Sequence, residues 1–377
     1  MKTVKIKDLG RTVTGHTPPT SESKYFGDYM PFVKPTDIDK ESKYTYNPEQ
    51  YYSEEAAEKY KTSLIPKGAT CVVCIGTIGE KMTMAHCDLY TNQSINSIIP
   101  SKDNDPDYVY YLLKYNLGKV KALNKGTASG REFVSKSTFL EMDVEVHEDL
   151  ATQQKIGAML SAYDSLIENY QKQIKLLEEA AQRYYVRWFV EHYVPSELSA
   201  DFTQWKESSL GDLAKFVRGK TITKDAVAQN GTVPVVAGGL QPAYYHNVAN
   251  AKAPVITVSG SGANAGYTNI YFEDIWASDC SFLDSQASPF LSFILCFLRD
   301  NKATIDNLQK GAAQPHVYAK DINALPMAIP PLEVLRAFES LVAPYFNKIA
   351  GLSKSKKLLL SSRDMMLQKV FSGTLCF

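Results

Sequence analysis

Two stretches of the chain carry the same long-range spacing of apolar residues. Ile156, Tyr163, Tyr170, Leu177 and Tyr184 recur every seven residues, and so do Phe338, Tyr345, Leu352, Leu359 and Met366. A constant shift of 182 maps the first set onto the second, and it also pairs Leu160 with Val342, Ile167 with Ile349 and Phe189 with Phe371. Taken singly, each stretch fits an ordinary amphipathic core helix. A seven-residue repeat held over four heptads, however, predicts a long helix packed lengthwise on another helix. Two copies at a fixed offset predict two half-chains, each a variable globular part followed by one long helix.

Between the ladders the pattern changes to short strands and turns. In the first half, residues 29–33 read as a strand, 54–61 as a helix with Ser53 as N-cap, and 69–75 as an apolar strand ended by Gly76 and Gly79. Residues 107–117 read as a helix and 142–146 as a last strand, with the polar loop Lys125-Gly126-Thr127-Ala128-Ser129-Gly130-Arg131 between them. The second half repeats the order with other residues. Gly219-Lys220-Thr221 stands where Gly15-His16-Thr17 stood, residues 254–260 answer 69–75, and Asp274–Ser278 answers Asp88–Asn92. A helix at 290–299 follows, Lys310-Gly311-Ala312-Ala313-Gln314 falls on Lys125–Ser129, and residues 327–329 form the final strand before Pro330-Pro331 opens the second ladder. Tyr193-Val194-Pro195-Ser196 is the expected break of the first helix. The boundaries that result are a first domain at 1–148, a helix at 149–193, a linker at 194–207, a second domain at 208–330 and a helix at 331–377. The class is mixed α/β (α+β), a duplicated scaffold with two different surfaces.

Composition narrows the function by exclusion. In 377 residues, 44% are hydrophobic and 22% charged, and 41 basic residues balance 41 acidic ones. Any nucleic-acid site must then come from local clustering. No apolar run is long enough to span a bilayer. The segment Met1–Asp8 lacks the apolar core of a secretory signal, and six cysteines are too few for a disulfide framework, so a cytoplasmic protein is expected.

Several motifs fail on their mechanics. Ala214-Lys215-Phe216-Val217-Arg218-Gly219-Lys220-Thr221 fits a relaxed phosphate-loop pattern, but bulky Phe, Val and Arg stand where small residues must wrap a phosphate. Gly260-Ser261-Gly262-Ala263-Asn264-Ala265-Gly266 follows a strand, yet β-like residues rather than a helix come next, so a hairpin turn is expected. Cys71 and Cys74, with His86 and Cys87, suggest half a zinc site, but residues three apart in a strand face opposite ways. Neither the Asp/Asn-Pro-Pro-aromatic tetrad of amino-methyltransferases nor a nuclease or hydrolase constellation is present. A non-catalytic chain without metal or cofactor is expected.

Local charge survives. Lys119, Lys121, Lys125, Arg131 and Lys136 face one acid, Glu132, and Lys354, Lys356, Lys357, Arg363 and Lys369 face Asp364. Such clusters are often only solvated faces. A Gly-rich basic loop with Ser, Thr and Arg nevertheless has the chemistry for phosphates and base edges, and its second-half counterpart offers Gln309, Lys310, Gln314, His316 and Tyr318.

The ordered motifs Gly15-His16-Thr17-Pro18, Pro31-Phe32-Val33, Ile75-Gly76-Thr77-Ile78-Gly79, Thr91-Asn92-Gln93, Lys125-Gly126 and Leu150-Ala151-Thr152-Gln153-Gln154-Lys155-Ile156 resemble the specificity subunits of type I restriction-modification enzymes. Pro330-Pro331-Leu332 resembles the family's second helix entry; Val334-Leu335-Arg336 departs from it, and Thr221-Ile222 replaces the Thr-Pro of the first half. The resemblance implies two target-recognition domains joined by two long antiparallel helices in a coiled coil, related by a pseudo-twofold axis. It implies a bipartite double-stranded DNA target with an unread spacer. Two methylation subunits and the restriction subunits would be partners, and they would bring S-adenosylmethionine, ATP and Mg. The candidate DNA-contacting residues are Lys34, Thr36, Thr77, Asn92, Gln93, Lys125, Thr127, Ser129 and Arg131 in the first half. Lys220, Ser261, Asn264, Lys310, Gln314, His316 and Tyr318 are those of the second. A rival expectation is a coiled-coil adaptor with two protein-binding heads, which the neutral overall charge mildly favours.

Overall fold

The structure is a computed structural model that describes residues 1–124, 132–198, 205–223, 225, 231–310 and 315–375. It divides into two compact units, Met1–Gln171 with Lys354–Phe377, and Lys172–Ser353. We refer to them as unit 1 and unit 2.

In unit 1 a short ribbon pairs Lys2–Lys5 with Asp143–Val146. A four-stranded antiparallel sheet follows in the spatial order Gly10–Thr14, Ile95–Pro100, Thr70–Val73, Met82–Met84. A second sheet runs Phe26–Gly27, Gln50–Tyr52, Met30–Val33, Tyr90–Thr91, its last pair parallel. Strand alternation sorts the core. Cys71 and Val73 enter one apolar cluster with Val13 and Ile95, whereas Val72 and Cys74 enter another with Ile98 and Met82. Burial pushes the Cys71 thiol up to about 12 and the Cys74 thiol up to about 11. The helix Pro106–Tyr115 starts where Asp105 accepts a hydrogen bond from the Tyr108 N–H at 2.9 Å with proline at the first turn, and Tyr108 to Leu113 are all buried. The helix Glu54–Lys59 is capped by Ser53, whose hydroxyl accepts from the Ala56 N–H at 3.2 Å.

Among the described residues, unit 2 has the same strand order with one strand fewer. Lys206–Ser209 pairs with Pro326–Ile329. The main sheet runs Val217–Arg218, Cys280–Asp284, Val255–Ser259, Thr268–Tyr271. The smaller one runs Tyr244–His246, Val233–Val236, Trp276–Ala277, its last pair again parallel. Gly260–Gly266 connects two antiparallel strands, as expected of a hairpin.

The ladders lie in helices Leu150–Tyr185 and Leu332–Phe371, of 36 and 40 residues. The first ends earlier than expected. Val186–Val190 forms a π-type turn and His192 takes a left-handed φ of 56°, so the helix has stopped before Pro195 is reached. The wider turn accompanies an aromatic cluster in which Tyr185, Trp188 and Phe189 all sit within 6.3 Å of the Phe338 ring.

The deepest burial follows a line one step from the expected ladder. Gln153, Leu160, Ile167, Ala181 and Trp188 are buried, as are Leu335, Val342, Ile349, Arg363 and Val370. The first set holds one heptad phase and the second holds the phase 182 residues later. Of the ladder itself, Ile156, Phe338 and Leu352 are buried, while Tyr163, Tyr170, Leu177, Tyr184, Tyr345, Leu359 and Met366 are half-buried along the flank. Within unit 1, Ile156 and Leu160 share a cluster with Leu367, Val370 and Phe371. Within unit 2, Tyr184 lies against Tyr345 with ring centroids 6.0 Å apart.

One layer of the seam in unit 1 is ionic. The Arg363 guanidinium donates to Asp164 at 2.6 Å, and the two side chains are 3% and 6% exposed. Arg363 also donates to the Glu41 carbonyl at 3.2 Å, and the Tyr111 hydroxyl donates to the second Asp164 oxygen. The basic stretch 354–369 is therefore not a free cationic face: Arg363 is buried, and Lys356 is bridged to Glu41 at 3.0 Å. In unit 2 the positions 182 residues away from Asp164 and Arg363 hold Phe346 and Ala181, both buried. Removing one partner of a buried ion pair strands the other charge, at about 3–5 kcal/mol, whereas a matched apolar replacement is close to neutral. Arg363→Met is thus expected to lower the urea midpoint of unit 1 strongly, and Asp164→Phe with Arg363→Ala, which copies unit 2, to recover most of the loss. A double mutant no more stable than Arg363→Met contradicts this account of the seam.

Candidate nucleic-acid interface

In each unit a tight turn leaves the main sheet at the same place. The Gly15 N–H donates to the Ile95 carbonyl at 3.1 Å and the His16 N–H to the Thr91 carbonyl at 2.8 Å. In unit 2 the Gly219 N–H donates to the Cys280 carbonyl at 2.8 Å and the Lys220 N–H to the Ala277 carbonyl at 2.9 Å. A Cβ on Gly15 would lie 2.2 Å from the Asn92 carbonyl oxygen, and one on Gly219 would lie 2.3 Å from that of Ser278, so close backbone approach demands glycine at both. The next loop is also matched. Gly76 and Gly262 take φ of +92° and +79°, and backbone bridges tie Ile75 to Phe133 and Ser261 to His316.

These loops gather much of the predicted set. In unit 1, Lys34 and Asn92 are neighbours because Met30–Val33 pairs with Tyr90–Thr91 and the Asn92 N–H donates to the Val33 carbonyl at 3.2 Å. Asn92 uses its side-chain oxygen to accept from the Ser94 N–H at 3.1 Å, and exposed Gln93 accepts from the Thr17 hydroxyl. Thr36 and Thr77 are exposed. Lys34 is not a bare cation: it holds Glu49 at 2.7 Å, and that hydrogen bond keeps the Glu49 carboxyl below its usual range. Lys125, Thr127, Ser129 and Arg131 lie outside the described residues. The segments on either side of them are fastened, since the Gly76 N–H donates to the Glu132 carbonyl at 3.0 Å and the Phe133 N–H to the Asn124 side chain at 2.9 Å.

In unit 2 the set is tighter. Ser261 bridges to His316, which bridges back to Lys310. The His316 and Tyr318 rings are nearly parallel, 12° apart in plane with centroids at 6.0 Å. The Ser261 hydroxyl donates to Asp279, Asn264 donates to the Gly238 carbonyl at 3.4 Å, and Lys310 is bridged to Asp321 at 2.9 Å. Lys220 is exposed. Gln314 lies outside the described residues. A hollow of about 260 Å³ opens among Arg218, Asp279, His316 and Tyr318. Arg218 and Asp279 were not in the predicted set. Along the sequence Arg218 falls within the failed phosphate-loop pattern and Asp279 in no motif; only the strand pairing brings them together.

Set beside known proteins, both halves match one family model, the type I restriction modification DNA specificity domain, over residues 1–179 and 203–339. The chain belongs to that family. It is 28% identical over 403 aligned positions to the type I restriction enzyme MjaIX specificity subunit of Methanocaldococcus jannaschii, covering 98% of this chain and 92% of that one. It is also 34% identical over 109 residues to the HindI specificity subunit of Haemophilus influenzae, covering 29% of this chain and 23% of that one. The fold is similar to the crystal structure of a type I restriction-modification S subunit from M. genitalium, with a TM-score of 0.58 at 16% identity, covering 98% and 96% of the two chains.

A second concavity, of about 520 Å³, lies in unit 1 between Gly79–Glu80, Lys114, Leu117 and the 364–368 turn of the second long helix. Burial, and after it the Arg363 guanidinium, pushes the Lys114 amine down to about 8 from an ordinary 10.5. Folding thus disfavours the charged amine. This group costs unit 1 stability below about pH 8, and the cost is relieved as pH rises from there towards the ordinary value. Trace acetylation of the full chain across pH 7–11 is expected to show Lys114 half-reactive near pH 8. Half-reactivity only near the ordinary 10.5 of a free lysine amine would mean a solvated amine.

Proposed function

We propose that this chain is the sequence-reading subunit of a type I restriction-modification complex, in which each unit reads one half of a bipartite duplex target. The observation that supports this best is two units with one strand order, both matched by the DNA specificity family, whose turns leave the sheet at equivalent places but present different side chains. The chain reads and does not cut or methylate; methylation subunits would bring S-adenosylmethionine, and restriction subunits ATP and Mg. The loops at 125–131 and 311–314 are the proposed reading edges together with the residues that flank them.

The two long helices are proposed to pair antiparallel as a coiled coil, with the units related by a pseudo-twofold axis. Unit 1 supports this in pairing Asp164 with Arg363 while Ile156 and Leu160 meet Leu367 and Val370. Unit 2 supports it in pairing Tyr184 with Tyr345 and Trp188 with Phe338. In both, residue numbers rise along one helix as they fall along the other. A helix of about 40 residues is about 60 Å long, which bounds the unread spacer at about 17 base pairs.

Two measurements test this reading. Affinity of the full chain, alone or with its methylation subunits, for random duplex is expected to fall steeply and linearly on a log–log plot against salt. A salt-independent or undetectable affinity would favour the adaptor. Removing one heptad from each long helix is expected to shorten the spacer by about three base pairs and leave both half-sites unchanged. Methylation mapping that returned altered half-site bases at the original spacing would refute the rod.

A further inference from the structure

We infer that Arg218 and Asp279 together read one G·C base pair in the half-site of unit 2; this rests on the DNA-reading function proposed above. Four observations converge on the pair. Arg218 ends the strand Val217–Arg218, opposite Ser281, and the hydrogen bonds of Gly219 and Lys220 clamp the backbone just beyond it. Its side chain is exposed at the hollow and has no hydrogen-bond or ion-pair partner among the described residues. Asp279 lines the same hollow, held by the Ser261 hydroxyl through one carboxylate oxygen, which leaves acceptor capacity on the other. The two charges share the hollow without forming a salt bridge to each other, so both remain available.

Chemistry separates a base edge from a phosphate as the ligand. A phosphate drawn to Arg218 would be repelled by the carboxylate beside it. The major-groove edge of G·C has both complements: guanine O6 and N7 accept two bonds from a guanidinium, and cytosine N4–H donates to a carboxylate. The nearly parallel His316 and Tyr318 rings wall the hollow. At the matched positions unit 1 has no such pair. Its backbone pairing puts Thr14 where unit 2 has Arg218, and Ser94 where unit 2 has Asp279. The two units would therefore differ in the base they read at this matched place.

The test is selection of duplexes from a randomised library by the full chain, assembled with its methylation subunits, as wild type, Arg218→Ala, Arg218→Lys and Asp279→Asn. Wild type is expected to select G·C at one fixed position of one half-site. Arg218→Ala and Arg218→Lys should relax that position by about tenfold or more and leave every other position intact, since lysine keeps the charge but loses the two-pronged donor. Asp279→Asn keeps a group for Ser261 to bond. It should relax the same position while tightening binding to random DNA, an opposite sign that a merely structural residue would not give. Equal weakening on all sequences, with the salt slope of Arg218→Ala reduced by about one, would make Arg218 a phosphate contact and overturn the inference. So would full discrimination in Arg218→Lys, or wild-type selection with no G·C at the responding position. Wild type that selected no sequence at all would instead remove the DNA-reading function itself. Matching thermal unfolding of all four proteins guards against loss of fold.

Discussion

The interaction on which unit 1 most depends is the buried contact of Arg363 with Asp164. An apolar seam attracts any other apolar seam, so hydrophobic packing alone says little about which helix faces which, or in what register. A buried guanidinium tolerates one arrangement: a carboxylate directly opposite and further acceptors around it. Asp164 and the Glu41 carbonyl supply both, and the Tyr111 hydroxyl fills the remaining carboxylate oxygen. A slip of one heptad would put Gly157 or Gln171 opposite Arg363 in place of Asp164, and neither carries a carboxylate. Unit 2 reaches closure by another route, with bulk instead of charge: Tyr185, Trp188, Phe189, Phe293 and Phe338 interlock through edge and tilted ring contacts. Since the two halves hold unlike layers at matched positions, neither segment is interchangeable with its counterpart.

The sheets impose a second constraint, of exclusion. At Gly15 and Gly219 the chain passes so close to a neighbouring carbonyl that no side chain fits. That fixes where the turn leaves each sheet, whatever residues follow. Beyond the glycine nothing in the backbone demands a particular side chain, and His16 and Lys220 are as unlike as Thr14 and Arg218. A rigid exit followed by unconstrained positions is a physical arrangement in which recognition changes without disturbing the fold.

Much of this was legible because it is periodic. The two ladders and their offset follow from regular spacing, and the succession of elements along the second half follows from matching it to the first. What the sequence hid is burial that depends on a distant partner. Half-buried Tyr163, Tyr170 and Tyr184 make the flank of the first helix look like its seam, while Gln153, Ala181 and, in the second helix, Arg363 conceal the true one. Arg363 looked like one of several basic residues on a wet face, because charge along a chain does not reveal that an aspartate 199 positions earlier awaits it. Propensity alone carries the first helix to residue 193, whereas its regular part stops at Tyr185, where Tyr185, Trp188 and Phe189 pack around Phe338. Arg218 and Asp279 are brought together by a strand pairing across 60 residues of chain, which no local motif encodes.

Balanced charge also follows from the proposed task. A reader of specific sequence meets a vast excess of wrong sites, and every unpaired cation raises affinity for all of them equally. Lys34 is held by Glu49, Lys310 by Asp321 and Lys356 by Glu41, so these lysines lend little sequence-independent attraction. Discrimination then falls to directed donors and acceptors whose geometry matches one base edge and repels the backbone. A chain with 41 charges of each sign is therefore no argument against DNA; it is what is expected where orientation, rather than net field, decides binding.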